Sequence, residues 1–227
     1  VWIGQISANK EYAEKWDLKF NFRTDRPIDN NRNKIVKEFL EDDGDFLFFI
    51  DSDNPPYKDP MPLIDLDLDI VSCPTPIWDG KRVTKGSFPI LFNCCDYVKE
   101  KDGWCEHDPK TGLQEIDASG TGCMLIARRV LEKVRPAFQR RWDEDGIATH
   151  GSDFEFTRRA KEEGFRVWAH YGYPCHHFKE MDSLTIARSL AARDITRLPR
   201  RNPNSEAYWN EQWEDRGERH YPFYDTI

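Results

Sequence analysis

Two aspartates separated by one serine, Asp51-Ser52-Asp53, stand immediately after the apolar run FLFFI at 46–50. In extended chain the side chains at i and i+2 leave the same face. Both carboxylates can therefore bracket one hard divalent cation, or one can hold metal while the other takes a ligand hydroxyl. The residue types leave a second reading open, because Asp, Ser, Asn and Pro are turn formers and DSDNPP also reads as an acidic turn closing a strand. Arg32 and Asn33 stand at the start of an amphipathic stretch. There a cationic side chain and free backbone N–H groups favour phosphate, although a solvated arginine fits the same position. Gly120-Thr121-Gly122 precede another apolar run, where glycines either let backbone approach a ligand closely or form a strand-entry turn. Ser152 and Asp153 open a helical stretch and fit as N-caps. His176 and His177 suit a metal by type, but on the residues alone a surface or core pair beside Pro174 and Cys175 is the stronger reading.

Six cysteines (Cys73, Cys94, Cys95, Cys105, Cys123 and Cys175) in 227 residues are too sparse for a disulfide scaffold and read as reduced thiols. Cys94, Cys95, Cys105 and His107 offer thiolate and imidazole ligands. They lack a C-x2-C knuckle, so ordinary loop and core cysteines are the stronger reading than structural zinc.

These residues need a scaffold, and the chain is long enough for one α/β domain with a C-terminal extension. With 38% hydrophobic and 33% charged residues it reads as globular rather than low-complexity. FLFFI is the longest wholly apolar run and falls far short of the ~20 residues that cross a bilayer, so no membrane insertion is expected. The opening VWIGQ shows no signal peptide. A net charge of -8 argues against a general polyanion binder. The location expected is cytoplasmic, including the cytoplasm of a virus-infected host cell.

Short apolar runs alternate with amphipathic stretches, the pattern of βα units on a mainly parallel sheet. VWIGQIS reads as a strand, NKEYAEKW as a helix and KFNFRT as a second strand. NNRNKIVKEFLEDDG is a helix with Ile35, Val36, Phe39 and Leu40 on one face, stopped by Gly44. FLFFI reads as a strand buried on both faces, and DIVSCPTP at 69–76 as a weaker one. Residues 77–118 show no sustained period and read as loops with short β pieces. GCMLIARRVLEKV passes from a buried run into a helix, SDFEFTRRAKEEG is a helix closed by Gly164, and FRVWAHY is a strand. DSLTIARSLAARDI is the last clear helix, before an aromatic and charged tail without a period. The expected division is residues 1–181 as the catalytic domain and 182–227 as a helix and tail packed on it. Arg188, Arg193, Arg197, Arg200 and Arg201 in that extension could hold an anionic acceptor, or form a solvated helix face.

RNKIVKEFL, GDFLFFIDSDNPP, DASGTGCMLIARRVLEKV, GSDFEFTRRAKEEGFRVW and HHFKE occur in this order. The set resembles the GT-A-fold glycosyltransferases of family 2, particularly small phage-type members, from about residue 1 to residue 180. The resemblance implies a GT-A-like, mainly parallel twisted sheet flanked by helices. It makes the acidic triplet the "DxD" motif, in which Asp51 and Asp53 hold a metal on a nucleotide-sugar diphosphate with Ser52 beside the donor. A downstream histidine completes the metal site; of His176 and His177, the H-x-K spacing with Lys179 favours His177. Arg32 would face the donor, and Ser7 and Asp25 the nucleoside pocket. Asp153 stands where the family presents its catalytic base, with Ser152 replacing the usual Glu at the acceptor contact, and Gly120, Thr121 and Gly122 line the sugar or acceptor pocket.

The activity this resemblance implies is that of a metal-dependent glycosyltransferase, inverting at the anomeric carbon, that moves a sugar from a UDP- or GDP-sugar to a hydroxyl. The acceptor could be a glycan, a protein or a modified nucleobase. Two carboxylates and an imidazole favour manganese(II) or magnesium(II) over structural zinc, and a divalent ion stabilises charge on the departing diphosphate. A sugar nucleotidyltransferase is the nearest rival, disfavoured because GQISANK supplies one glycine where a phosphate loop wants several. A catalytically silent carbohydrate-binding domain is another, supported by eight tryptophans.

Overall fold

The structure is a computed structural model that describes residues 10–24, 26–79, 90–101, 103–108 and 110–179. The expected first strand, the whole C-terminal extension with its arginines and the 181/182 boundary lie outside the described residues. Up to Ile77 and again from Ile90 to Lys179, the described chain belongs to one unit.

Its elements in chain order are helix α1 (Lys10–Lys15), α2 (Ile28–Glu41), strand β1 (Phe46–Ile50), a 3-10 turn (Met61–Leu66), β2 (Ile70–Ser72) and β3 (Pro76–Trp78). Then come β4 (Ile90–Val98), β5 (Gly103–His107), β6 (Leu113–Ile116), β7 (Ala118–Ser119), β8 (Cys123–Ala127) and α3 (Arg128–Lys133). The series ends with β9 (Arg141–Trp142), β10 (Ala148–His150), α4 (Ser152–Glu162) and β11 (Val167–His170).

The main sheet has the order β1-β8-β2-β11-β6. It is mixed, which corrects the expectation of a mainly parallel sheet. Among the described residues β2 and β11 run parallel, whereas β1 with β8, β8 with β2 and β11 with β6 run antiparallel. The reversal at β8 is marked by a contact between residues distant in sequence. The chain returns to the carboxyl end of β1 before β8 begins, and Asp51 N–H donates to the Gly122 carbonyl at 2.7 Å, so β8 must run back along β1.

Side chains of β8 alternate between two cores, as a strand covered on both faces must. Met124 and Ile126 pack with Val36, Phe49, Val130, Phe138 and Phe156. Cys123 and Leu125 pack with Tyr12, Leu63, Ile64 and Val71 on the other face. Every residue of β8 is buried, whereas in FLFFI only Phe49 is. The strand buried on both faces is thus CMLIA rather than FLFFI.

Helix α2 sets Val36 into the core with Ile35, Phe39 and Leu40 against it, as the periodicity requires. Its end is made differently from the expectation. The helix stops at Glu41 and Gly44 has no left-handed φ; a Cβ on Gly44 would lie 2.8 Å from the Phe39 ring, so this glycine is required by space. The unpaired carbonyls at that end are met by the Arg128 guanidinium, which donates to Phe39, Leu40, Asp42 and Gly44. Gly164, at φ +90, does close α4. KFNFRT carries no strand, and Phe20 and Phe22 stand exposed.

A second sheet, β3-β4-β5 with β7 on β4, occupies much of the stretch expected to be mainly loop. The nine-residue β4 was hidden because its buried positions hold Phe92, Cys94 and Cys95, and a register shift between Phe92 and Cys95 breaks the period.

Candidate functional site

The chain leaves β1 at Ile50 and turns at once, with Asn54 N–H donating to the Asp51 carbonyl at 3.0 Å. The extended i, i+2 geometry expected of the triplet is replaced by a turn: Asp51 pairs with Arg32, whereas Asp53 meets Lys179 and His177. A later segment is laced antiparallel onto the turn. Tyr57 N–H donates to Pro174, His176 N–H to Pro55 and Phe178 N–H to the Asp53 carbonyl, each at 2.9 Å. This lacing, across more than a hundred residues of sequence, brings His177 beside Asp53.

It also separates the two histidines. His176 is exposed and its ring stacks on Phe178 with 5.6 Å between centroids. His177 faces inward: its Nδ1 lies 2.7 Å from the Pro76 carbonyl and its Nε2 3.8 Å from the Asp53 carboxylate. A carbonyl only accepts, so Nδ1 carries the proton, and in the neutral ring Nε2 presents a lone pair towards Asp53. A lone pair facing a carboxylate is the arrangement that a cation between them relieves. Lys179 Nζ also meets Asp53 Oδ2, at 3.0 Å, from the outer side.

Arg32 reaches the site from α2. It stands in the second turn, since the helix begins at Ile28, so free N–H groups at the helix start are not what it offers. Its Nη2 lies 3.1 Å from Asp51 Oδ2, and the guanidinium stacks 5.6 Å from the Phe138 ring. Only 6% of Arg32 is exposed and its Nε has no partner among the described residues, so the cation is held for this site rather than solvated. Asn33 is structural: its side chain pairs with both the N–H and the carbonyl of Phe138.

Asp153 is the second residue of α4. Its Oδ1 accepts the Phe154 N–H at 3.0 Å, while its Oδ2 faces Gly120. Both glycines of Gly120-Thr121-Gly122 are close-approach positions rather than special turns. A Cβ on Gly120 would stand 2.7 Å from Asn93 Nδ2, and one on Gly122 only 2.2 Å from Asn54 Oδ1.

Several of these groups, though not Asp53, line one cavity of about 280 Å³. Arg32, Asp51, Asn54, His177, Gly120, Thr121, Gly122 and Asp153 line it, joined by Thr75, Ile77, Asn93, Cys95, Glu106 and Phe154. Thr121 and Thr75 are buried, and neither hydroxyl has a partner among the described residues. Burial, aided by the nearby charges of Asp53 and Asp153, raises Asp51 above the ordinary carboxylate range, and Arg32 only partly offsets it. With Glu106, the region holds four carboxylates against two cations, Arg32 and Lys179, an excess of negative charge suited to a divalent cation.

Other expected residues are placed elsewhere. Ser52 is exposed and outside the cavity lining. Ser152 is buried, and its hydroxyl donates to Asp29 at 2.5 Å, with Arg140 on the other oxygen of that aspartate. It braces α4 against α2 instead of facing the cavity. Ser7 and Asp25 lie outside the described residues. Cys94 packs in the core, Cys95 lines the cavity and Cys105 is exposed, while His107 pairs with Tyr171 and Asp96, so the cysteine cluster weighed for zinc does not assemble. Asn54, Asn93, Thr75 and Glu106 carried no distinguishing sequence signal; only Asn54 adjoins a motif, the DSD triplet.

No protein-family model matches the chain, and no curated protein matches it. Among solved structures it is similar to the crystal structure of A197 from STIV, with a TM-score of 0.50 and 19% identity over 79% of each chain. At that identity the likeness speaks to the fold alone.

Proposed function

We propose that this chain is a metal-dependent GT-A-type glycosyltransferase that moves a sugar from a nucleotide-diphosphate donor to an acceptor hydroxyl with inversion. The reading is carried by one observation: Asp51, His177 and Asp153, distant in sequence, line a single cavity, with Asp53 against His177. Asp51, Asp53 and His177 fit a hard divalent cation through two carboxylates and an imidazole whose Nδ1 is held by the Pro76 carbonyl, which turns Nε2 towards Asp53. Manganese(II) or magnesium(II) bound there would supply positive charge to the departing diphosphate.

The chain's own residues do the rest. Arg32 orients Asp51 through the 3.1 Å pair and keeps a buried donor, Nε, at the donor side. Thr121 and Thr75 offer unpaired hydroxyls to sugar or phosphate oxygens. Asp153 Oδ1 is engaged by its own helix, which leaves Oδ2 to accept the proton of the attacking hydroxyl. Glycines 120 and 122 let the Asn93 and Asn54 side chains pack directly on the backbone of that wall, which fixes the turn carrying Asp51.

The test is nucleotide binding by calorimetry, with UDP and GDP, in manganese(II) and in chelator. Binding should require the metal in the wild type and be lost in Asp53→Ala. Equal affinity under all conditions overturns the metal assignment. Metal-dependent binding with neither donor hydrolysis nor transfer points to a silent binding domain, and release of pyrophosphate from a nucleoside triphosphate to a nucleotidyltransferase. Lys179→Ala separates metal from lysine as the partner of Asp53: it should leave the metal requirement intact.

A further inference from the structure

Behind the carboxylate cavity, on the opposite core, Cys73, Cys123 and Cys175 bring their three Sγ atoms within 4.8 Å of one another. They come from three separate segments: Cys73 follows β2, Cys123 opens β8, and Cys175 bridges to Pro56. Backbone hydrogen bonds hold them there, from Cys73 N–H to the Cys123 carbonyl and from Cys175 N–H to the Pro74 carbonyl, both at 2.9 Å. None is in a disulfide. Their convergence from three segments sets three soft ligand atoms around one point.

We propose that Cys73, Cys123 and Cys175 form a second metal site, a three-thiolate seat for one divalent thiophilic cation of the zinc(II) class. Tetrahedral zinc with bonds of about 2.3 Å sets its sulfur ligands roughly 3.8 Å apart, which this spacing accommodates. Charge selects the divalent ion. With all three sulfurs as thiolates the site carries one net negative charge around a divalent cation but two around copper(I), the costlier state among Leu63, Val71 and Leu125 of this core. The fourth position falls to a water on the Cys175 side, because Cys175 is 5% exposed while Cys73 and Cys123 are fully buried.

The position explains what the ion would do. Cys123 adjoins Gly122, whose carbonyl anchors Asp51, and Cys175 stands two residues before His177. A cation here ties together the two segments that build the carboxylate site, without touching its ligands. The proposal goes beyond the glycosyltransferase reading and does not need it.

The experiment is anaerobic titration of the reduced, metal-free full chain with cobalt(II), a spectroscopic stand-in for zinc(II). Thiolate-to-cobalt charge-transfer absorption should saturate at one equivalent, be displaced by zinc(II), and survive in Asp53→Ala and Cys105→Ser. It should vanish in Cys175→Ser. Absence of the band, continued growth past one equivalent, persistence in Cys175→Ser, or displacement by copper(I) but not zinc(II) overturns the proposal. So does a disulfide among these cysteines in protein purified without oxygen. If Cys175→Ser does not fold, X-ray absorption of the Asp53→Ala chain loaded with one zinc(II) decides: three sulfur neighbours at about 2.3 Å support the site, and a purely oxygen and nitrogen shell refutes it. Because Asp53→Ala disables the carboxylate site, failure of the thiolate site and failure of the transferase reading are separately visible.

Discussion

The two walls of the cavity are built on different principles. On the main-sheet side, Asp51 is pinned by its backbone to Gly122 and by its side chain to Arg32, and His177 is pinned to Pro76. Each charged group there has a fixed orientation set by contacts distant in sequence. On the β4–β5 side, Asn93 spends its side-chain Oδ1 on the Thr75 N–H, Cys95 is a buried thiol, and Glu106 stands largely exposed. That wall shapes the cavity but places little oriented charge in it. Chemistry should therefore fail when the first wall is altered and change only in degree when the second is.

The largest effect is expected from Asp153→Asn, at the N-terminus of α4 between the walls. The substitution keeps the Phe154 N–H contact available but removes the proton acceptor. Transfer should fall by about 10²-fold or more while metal-dependent donor binding persists. Near wild-type transfer in a quenched-flow assay would eliminate Asp153 as the base, and a product retaining the donor's anomeric configuration would exclude single displacement.

Next comes Gly122→Ala. A Cβ 2.2 Å from Asn54 Oδ1 must displace the turn that carries both aspartates. We expect a loss of about 1–3 kcal/mol in denaturant unfolding, the usual cost of overpacking, together with loss of metal-dependent nucleotide binding. Wild-type stability and binding would mean that the turn yields at no cost and that the main-sheet wall is not rigid.

A smaller and signed effect concerns Asp51. Its carboxyl is raised above the ordinary 3.8, mainly by burial. Folding therefore favours its protonated form, so its contribution to stability is fully present below 3.8 and is lost as pH rises through the raised folded value. Without metal, Asp51→Asn should flatten the fall in melting temperature over that interval. Added manganese(II) should stabilise the wild type more as Asp51 ionises. An unchanged pH slope in Asp51→Asn would show that burial of this carboxyl is not felt.

The smallest effect belongs to the other wall. Glu106→Gln should leave nucleotide affinity within about twofold, the usual scale for an exposed substitution away from oriented contacts. A loss as large as that of Asp53→Ala would erase the contrast between the walls and move a metal ligand onto β5.

Much of this site was legible because its signals are local. The acidic triplet is local in composition though it folds as a turn, the helix start at Ser152-Asp153 was read from residue type although its N-cap is Gly151 with no side-chain cap, and the glycine pair depends only on the absence of Cβ atoms. Periodicity likewise located α2, α3, α4, β2 and β11. The sheet's direction was not legible. An apolar run reads the same in parallel and antiparallel pairing, and hydrogen bonding at Gly122, far along the chain from Asp51, turned β8 back along β1. Strand β4 escaped because cysteines and a register shift obscure a period of two.

Residue types in order determined which groups could bind a cation or move a proton, since charge, donor count and side-chain reach belong to each residue wherever the chain goes. Tertiary structure alone decided which of them meet. It turned His177 inward and His176 outward, gave Ser152 to Asp29, placed Arg32 under Phe138 against Asp51, and gathered three cysteines from three segments. The physical reason is that these contacts close loops of up to more than a hundred residues. Such closures are stabilised by the packing and hydrogen bonding of the whole domain, and no short window of sequence carries that information.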